Sequence, residues 1–134
     1  MIYLTLDHIC ELNRYTIARY GGLYIAKDKN LRNRNSLEYI LVAIEQPLFG
    51  HELFPTLIDK AAALAWWIIE GHVYYDGNKR TGMQAAMLLL RINDEILLFD
   101  NNTLVEVSVA IANRDLDLQQ LTLIMGRRTF TIAP

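Results

Sequence analysis

A polar segment near the middle of the chain, His72-Val-Tyr-Tyr-Asp-Gly-Asn-Lys-Arg80, combines a histidine, a carboxylate and two adjacent cations. The imidazole of His72 can take up a proton near neutral pH, so it is a candidate general base that activates a hydroxyl for attack on phosphorus. Lys79 and Arg80 lie where a helix is predicted to begin, and their charges and backbone N–H groups favour a phosphate anion. Asp76 supplies a hard oxygen ligand of the kind that binds Mg²⁺ together with nucleotide phosphates. The segment therefore predicts a magnesium-nucleotide site.

The same residue types also occur for structural reasons, and their spacing alone leaves both interpretations open. A histidine such as His72 near the end of a helix is stabilised by the helix dipole, and Asp-Gly-Asn is a common turn composition. Gly77 permits backbone angles that a side chain would forbid, and Asn78 offers a further unpaired N–H group. The nucleotide signatures G-x-x-x-x-G-K-S/T and G-x-G-x-x-G are missing from the sequence, as is H-E-x-x-H. These absences exclude a P-loop NTPase and a Rossmann enzyme.

Two strongly apolar segments must position this polar loop. The first is predicted as a helix from Thr56 to about Glu70, and its AAALAWWII run is apolar on nearly every side. The second runs from Thr81 to Arg91 and contains MQAAMLLLR. A helix that is apolar all round belongs at the centre of a bundle, so Trp66 and Trp67 are expected in the core. A polar loop between two central helices is held rigid, which suits a site.

Further helices are predicted around this central pair. A first helix is capped by Thr5 and stops at Gly21-Gly22, and a second begins at Asn35 or Ser36 and ends before Pro47. Apolar residues at helical spacing indicate two more helices, one through Leu104, Val107 and Ile111 and one through Leu118, Leu121 and Ile124. A strand is the alternative for the Val-rich run from Val105 to Val109, and little strand is expected in the chain as a whole.

Two connecting segments stay open in their interpretation. Pro47 to Pro55 is expected to be a loop or a short hairpin. Lys27 to Arg34 is irregular and basic, and its cations either contact a nucleotide, an acidic target or a partner, or simply form solvated surface.

Composition limits the classes of function. The chain has 134 residues, and its 13 Lys and Arg against 15 Asp and Glu leave a formal net charge of −2. This length and the 52% of hydrophobic residues predict a single domain over residues 1–134. A mildly acidic chain is not expected to bind nucleic acid directly, and the single cysteine, Cys10, excludes an internal disulfide. Since the longest uncharged stretch, Thr81–Leu90, cannot span a membrane, we expect a cytoplasmic protein without membrane contact.

The segment from His72 to Arg80 resembles the signature of the Fic/Doc family, H-x-F-x-D/E-G-N-G/K-R. The flanking sequences LIDKAAALAWWIIEG and TGMQAAMLLLRIND are similar to the helices around that signature in Doc-like members, and Arg19 to Leu23 resembles an early segment of the death-on-curing (Doc) toxins. The likeness extends from about Arg19 to Glu95.

The resemblance implies a fold, a site and a set of ligands. The fold would be all-α, a compact Fic-type helical bundle, with a short hairpin flap at Phe49 to Leu53 that aligns the target segment. His72 would be the base and Asp76 the ligand of Mg²⁺. The phosphates of ATP, the co-substrate, would lie in a cradle formed by the four following residues, Gly77, Asn78, Lys79 and Arg80.

Departures from the family pattern bear on the reaction. AMP-transferring members carry Gly where Lys79 stands and a second Arg where Met83 stands, and similar changes in Doc-like members accompany a reversed nucleotide. The resemblance then implies transfer of the terminal phosphate to a hydroxyl of a translation elongation factor, whereas Gly77 stands where Doc itself is expected to carry Ala. Transfer of AMP and a catalytically inactive binding module are the alternatives.

Regulation is expected to come from another chain. Many Fic proteins are blocked by their own helix with the pattern S/T-x-x-x-E-G/N, and the nearest segment here, Trp66 to Gly71, lacks the Ser or Thr. A separate antitoxin protein is therefore implied as a partner.

Overall fold

Two adjacent helices form the centre of the molecule, as the apolar composition predicts. The computed structural model describes residues 1–132, in which α3 (Leu57–Glu70) packs most extensively against α4 (Asn78–Arg91). No residue of α3 is exposed. Gly82 allows the close approach of the two helices, because a Cβ at this position would lie 2.6 Å from Cγ1 of Ile69 and 2.9 Å from the carbonyl oxygen of Ala65. The predicted central pair is confirmed.

In the described part of the chain, four further α-helices surround this pair. Helix α1 (Leu6–Tyr20) packs on α4, α2 (Arg34–Glu45) and α6 (Leu118–Gly126) pack on α3, and α5 (Asn101–Ala112) contacts both central helices. Because Val105 to Val109 lie within α5, the strand alternative for this run is wrong. Within residues 1–132, strands are confined to two short segments, β1 (Glu95–Leu97) and β2 (Thr129–Thr131), which pair antiparallel with Ile96 opposite Phe130. The mostly helical architecture confirms the predicted fold class.

Side-chain caps explain where the helices begin. Thr5 and Thr56 each accept a hydrogen bond from the N–H three residues later, and in α1 the His8 ring accepts one in return from the N–H of Thr5. Asn33 accepts from the N–H of Ser36, so α2 begins at Arg34, slightly earlier than predicted. Gly21 ends α1 with a φ of +88°, as expected for a helix that stops at a glycine pair.

The connecting segment between α2 and α3 forms only a minimal hairpin. Leu48 and His51 exchange backbone hydrogen bonds of 2.9 and 3.0 Å, and Phe49 and Gly50 occupy the tip with φ of +52° and +78°. The segment is therefore a tight turn closed by one residue pair.

The two tryptophans of α3 lie at the edge of the core. Both are half-buried, whereas their neighbours Ile68 and Ile69 are fully buried. Trp66 Nε1 donates to the carbonyl oxygen of Leu116 at 3.3 Å, and the ring centroid of Trp67 lies 5.4 Å from that of Tyr39. Among residues 1–132, no helix combines the length and apolar character needed to cross a membrane.

Candidate active site

The loop that joins α3 to α4 is held in place by hydrogen bonds to its backbone. The carbonyl oxygen of Val73 accepts hydrogen bonds from the N–H groups of Arg32 and Asn33, at 2.9 and 3.0 Å. The Asn78 side chain bridges back to Tyr74, since its Oδ1 accepts from Tyr74 N and its Nδ2 donates to Tyr74 O, both at 2.8 Å. Asn78 therefore shapes the loop as well as contributing a backbone N–H.

Two adjacent residues of the loop face the interior, whereas the residues on either side of them are exposed. Val73 and Tyr74 are buried, and the Tyr74 hydroxyl donates to Cys10 Sγ at 3.3 Å. Burial raises the pKa of the Tyr74 hydroxyl and of the Cys10 thiol, so both stay neutral at physiological pH. His72, with a φ of +46°, and Asp76 are exposed. The inward residues form the support, and the outward ones face the solvent-accessible cleft.

A cleft of about 350 Å³ brings together the six residues to which the sequence assigned chemistry. They are His72, Asp76, Gly77, Asn78, Lys79 and Arg80. Helix α4 begins at this cleft. Its first backbone hydrogen bond between residues four apart runs from Thr81 N to Gly77 O, at 2.9 Å. The N–H groups of the first three residues of α4 precede this bond, and such groups at a helix N-terminus are well suited to bind phosphate.

Gly77 is required by the backbone of this turn. It has a φ of +77°, and an added Cβ would lie 3.0 Å from Cδ1 of Ile17 and 3.1 Å from Nδ2 of Asn13. A side chain here would therefore be both strained and crowded.

Asp76 is held at three atoms. Its Oδ1 accepts from Gly77 N and its Oδ2 from Leu23 N, each at 2.8 Å, and its carbonyl oxygen accepts from Asn13 Nδ2 at 2.9 Å. A carboxylate can accept about four hydrogen bonds or ligand contacts, so each oxygen keeps capacity for a cation. Within residues 1–132, three or more His, Cys, Asp or Glu side chains are nowhere grouped as metal ligands. One fixed carboxylate fits Mg²⁺ that is shared with phosphates.

The two cations of the site, Lys79 and Arg80, are available to bind an anion. None of the ion pairs found within residues 1–132 involves Lys79 or Arg80. The Arg80 guanidinium carbon lies 3.8 Å from the centroid of the Tyr20 ring, which is close enough for a cation–π contact. Both charges are exposed at the first turn of α4. Helix N-terminus and side-chain charge thus act on the cleft together.

Comparison with known proteins decides the family. The sequence model of the Fic/DOC family matches residues 3–90 of the chain. The chain belongs to the Fic/Doc family. It is 30% identical over 112 residues to the protein named Toxin Doc of Mycolicibacterium smegmatis. The matched residues cover 82% of this chain and 86% of that protein. It is 26% identical over 121 residues to Protein kinase doc of Escherichia phage P1, which covers 90% of each chain.

The family match confirms the resemblance and begins earlier in the chain than the sequence motifs indicate. The motifs point to a start near Arg19, whereas the family model already matches from residue 3 and so includes α1. The structure gives a physical reason, because α1 supplies Asn13, whose side chain donates a hydrogen bond to the motif loop of this Fic/Doc protein.

A buried polar cluster behind the motif loop escaped the sequence analysis. Asn13 is fully buried, and its Nδ2 donates to Thr81 Oγ1 at 3.1 Å as well as to Asp76. Its Oδ1 accepts from Asn30 Nδ2 at 2.9 Å, and the Asn30 carbonyl oxygen accepts from Tyr75 N at 3.1 Å. The available signal was the position of Asn13 on the apolar side of α1, since a buried polar side chain needs partners.

Two cations of the basic segment before α2, Lys29 and Arg34, form ion pairs with carboxylates on the surface. Lys29 contacts Asp7 at 2.5 Å and lowers the pKa of that carboxyl, and Arg34 pairs with Asp28 and Glu38. Asp28, Lys29 and Asn30 all have positive φ, and the segment includes a single 3₁₀ turn, Lys27–Asn30. These contacts favour the interpretation of Lys29 and Arg34 as surface ion pairs. The segment places Asn30 against Asn13.

Proposed function

We propose that this Fic/Doc protein is a Doc-like toxin that transfers the terminal phosphate of ATP to a hydroxyl of a protein target. The names of its two relatives, a toxin and a protein kinase, support this proposal. A translation elongation factor is the expected target. The whole described chain is proposed to act as one domain.

In the proposed reaction, His72 accepts the proton of the target hydroxyl while the oxygen of that hydroxyl attacks the terminal phosphorus. The bond to the bridging oxygen breaks, and ADP leaves with the electron pair of that bond. Gly77, Asn78, Lys79 and Arg80 orient the phosphates through N–H groups and positive charge. Asp76 would hold Mg²⁺, which supplies neutralisation of phosphate charge when bound.

One observation carries the choice of phosphate transfer over AMP transfer. Lys79 adds a cation at the first turn of α4, and Met83, one turn later, is apolar and 3% exposed. The position that carries an orienting arginine in AMP-transferring members therefore offers no charge to a phosphate tail. AMP transfer is the second candidate, because Gly77 departs from the expected Doc pattern.

Isotope labelling separates these reactions. The purified protein and its His72→Ala variant are incubated with bacterial lysate and Mg²⁺, in parallel with ATP labelled on the α- or the γ-phosphate. We expect protein label only from the γ-phosphate and its loss in the variant. Label from the α-phosphate would establish nucleotide transfer, and no label from either would favour the inactive binding module.

Variants of the cradle test the assigned roles. We expect Asp76→Ala to weaken the magnesium-ATP complex and Arg80→Ala to weaken phosphate binding, both measured by calorimetry. Unchanged affinity in both variants would refute the cradle.

We further propose that inhibition comes from a separate antitoxin. Glu70, the glutamate of the closest match to an inhibitory motif, lies at the end of α3, and its carboxylate is 3.3 Å from Arg114. This glutamate belongs to a central helix and is engaged at the surface. It is therefore unsuited to obstruct the nucleotide cleft.

A further inference from the structure

A segment outside the motif contacts two of the proposed site residues. It consists of the last residue of α1 and the three that follow, and we call it the glycine segment (residues 20–23). The N–H of Leu23 donates to Asp76 Oδ2 at 2.8 Å across 53 positions of the chain, and the Tyr20 ring lies against the Arg80 guanidinium. The glycine segment therefore touches both the carboxylate and a cation of the cleft.

The backbone of Gly22 lies directly against the Asp76 carboxylate. Gly22 has a φ of +132°, and an added Cβ would lie 2.7 Å from Asp76 Oδ2 and 3.0 Å from Cδ1 of Ile17. The same Ile17 methyl would lie 3.0 Å from a Cβ added at Gly77. Two glycines from distant parts of the chain thus pack on one methyl group, and the carboxylate fits only because position 22 has no side chain.

The two oxygens of this carboxylate are held by different segments. Oδ1 accepts from the N–H of Gly77 in the motif loop, whereas Oδ2 accepts from the N–H of Leu23 in the glycine segment. A ligand that is already in place loses little conformational freedom when a cation binds, so more of the binding free energy is retained. Groups that orient a metal ligand in this way strongly affect metal affinity.

We propose that Gly22 and the N–H of Leu23 are positioning groups that set the affinity of Asp76 for Mg²⁺. This inference rests on the proposed function, in which Asp76 holds the Mg²⁺ that accompanies ATP. The missing side chain at Gly22 lets the carboxylate approach, and the N–H of Leu23 fixes its second oxygen. The glycine segment then determines how strongly Mg²⁺ tightens the binding of ATP.

Calorimetry on Gly22→Ala and on its neighbour Gly21→Ala tests the role of Gly22. Gly21 also has a positive φ, of +88°, but a Cβ added there would meet no atom of the described chain within 4 Å, so Gly21→Ala introduces strain without crowding Asp76. ATP affinity is measured with saturating Mg²⁺ and with EDTA, and the ratio of the two affinities is the magnesium dependence. We expect this ratio to fall about tenfold or more in Gly22→Ala and to stay within about twofold in Gly21→Ala. The affinity in EDTA should be the same in both variants.

A backbone ester at position 23 tests the N–H of Leu23 without adding an atom beside Asp76. Incorporation of the hydroxy-acid analogue of leucine replaces this N–H by oxygen and keeps the side chain. The donor to Asp76 Oδ2 is lost, so we expect the magnesium dependence to fall here as well. The matched control is an ester at Tyr24, whose N–H makes no hydrogen bond within residues 1–132, and it should leave the ratio unchanged.

The outcomes separate the two proposals. If the unmodified protein binds no ATP, or binds it equally with Mg²⁺ and with EDTA, the assigned cradle or the role of Asp76 fails, and the proposed function fails with it. If Mg²⁺ tightens binding but Gly22→Ala lowers the ratio no more than Gly21→Ala, the positioning proposal is overturned and the cradle stands. An unchanged ratio in the Leu23 ester would also overturn it, and this ester decides the question if Gly22→Ala does not fold.

Discussion

Two loops flank the central helix α3, and they are held in opposite ways. The loop after α3, which carries His72 and Asp76, is hydrogen-bonded to the Asn13 side chain of α1 and to the segment that precedes α2. The loop before α3 is closed by the reciprocal bonds of Leu48 and His51, and the Phe49 side chain at its tip is fully exposed. One loop is fixed from several directions, and the other is fixed mainly by itself.

The difference matches two tasks of a transferase. Groups that bind phosphate and move a proton work best when they are already in place, because no reorganisation is then needed during the reaction. A segment that meets a protein target by backbone pairing needs an accessible edge more than a rigid one. We therefore expect changes in the loop after α3 to affect chemistry and changes in the loop before α3 to affect target recognition.

The strongest test of the difference between the two loops compares one histidine from each, His72 and His51. We expect His72→Ala to lower phosphate transfer about 10²- to 10⁴-fold, since it removes the proposed general base, with ATP still bound. His51→Ala should leave the transfer rate within about twofold, because its backbone bonds to Leu48 persist. Equal losses in the two variants, measured as label transfer per minute, would contradict the division of tasks.

The buried support of the motif loop is tested by Asn13→Ala. This variant leaves the Asp76 carbonyl oxygen, Thr81 and Asn30 without their shared partner, so the free energy of unfolding should fall by about 1–3 kcal/mol. The Mg²⁺ concentration needed for half-maximal transfer should also rise, because Asp76 is less well placed. Urea denaturation and a magnesium titration measure the two effects.

The exposed Asn102 on α5 provides the matched control for Asn13. Asn102→Ala should change neither quantity. If Asn13→Ala lowers stability with no shift in the magnesium requirement, Asn13 acts on the fold alone.

A smaller effect is expected where Tyr20 contacts Arg80. Tyr20→Leu should weaken ATP binding by about 0.5–1 kcal/mol, because the guanidinium loses the ring beneath it, and Tyr20→Phe should retain the affinity. In a double-mutant cycle, Tyr20→Leu should weaken ATP binding less in the Arg80→Ala background than alone. Strict additivity would show that Tyr20 acts independently of Arg80.

The smallest effect on stability is expected at the tip of the other loop. Phe49→Ser should change the free energy of unfolding by no more than about 0.5 kcal/mol and leave ATP affinity unchanged, because the ring contacts solvent. The KM for the protein target should rise if this loop aligns it. A lower transfer rate at saturating target, measured by steady-state kinetics, would instead link the loop to chemistry.

Much of the architecture could be predicted from the sequence because its signals are local. Caps such as Thr5 and Thr56, and the glycines after Tyr20, mark helix ends through contacts within a few residues. The six proposed site residues also lie within the nine positions from His72 to Arg80. A loop followed by a helix is therefore enough to bring them together. The run from Val105 to Val109 was ambiguous, because valine is enriched in strands, whereas the spacing of Leu104, Val107 and Ile111 is that of a helix.

The sequence by itself determined the central helices, the polar loop and the identity of the groups in the cleft. Only the tertiary structure decided that Asn13 holds Asp76 from 63 positions away, that Tyr20 lies against Arg80, and that α5 completes a groove beside Met83. The physical reason is that helix periodicity and caps depend on neighbours along the chain, whereas a buried hydrogen bond or a groove depends on how separate helices pack.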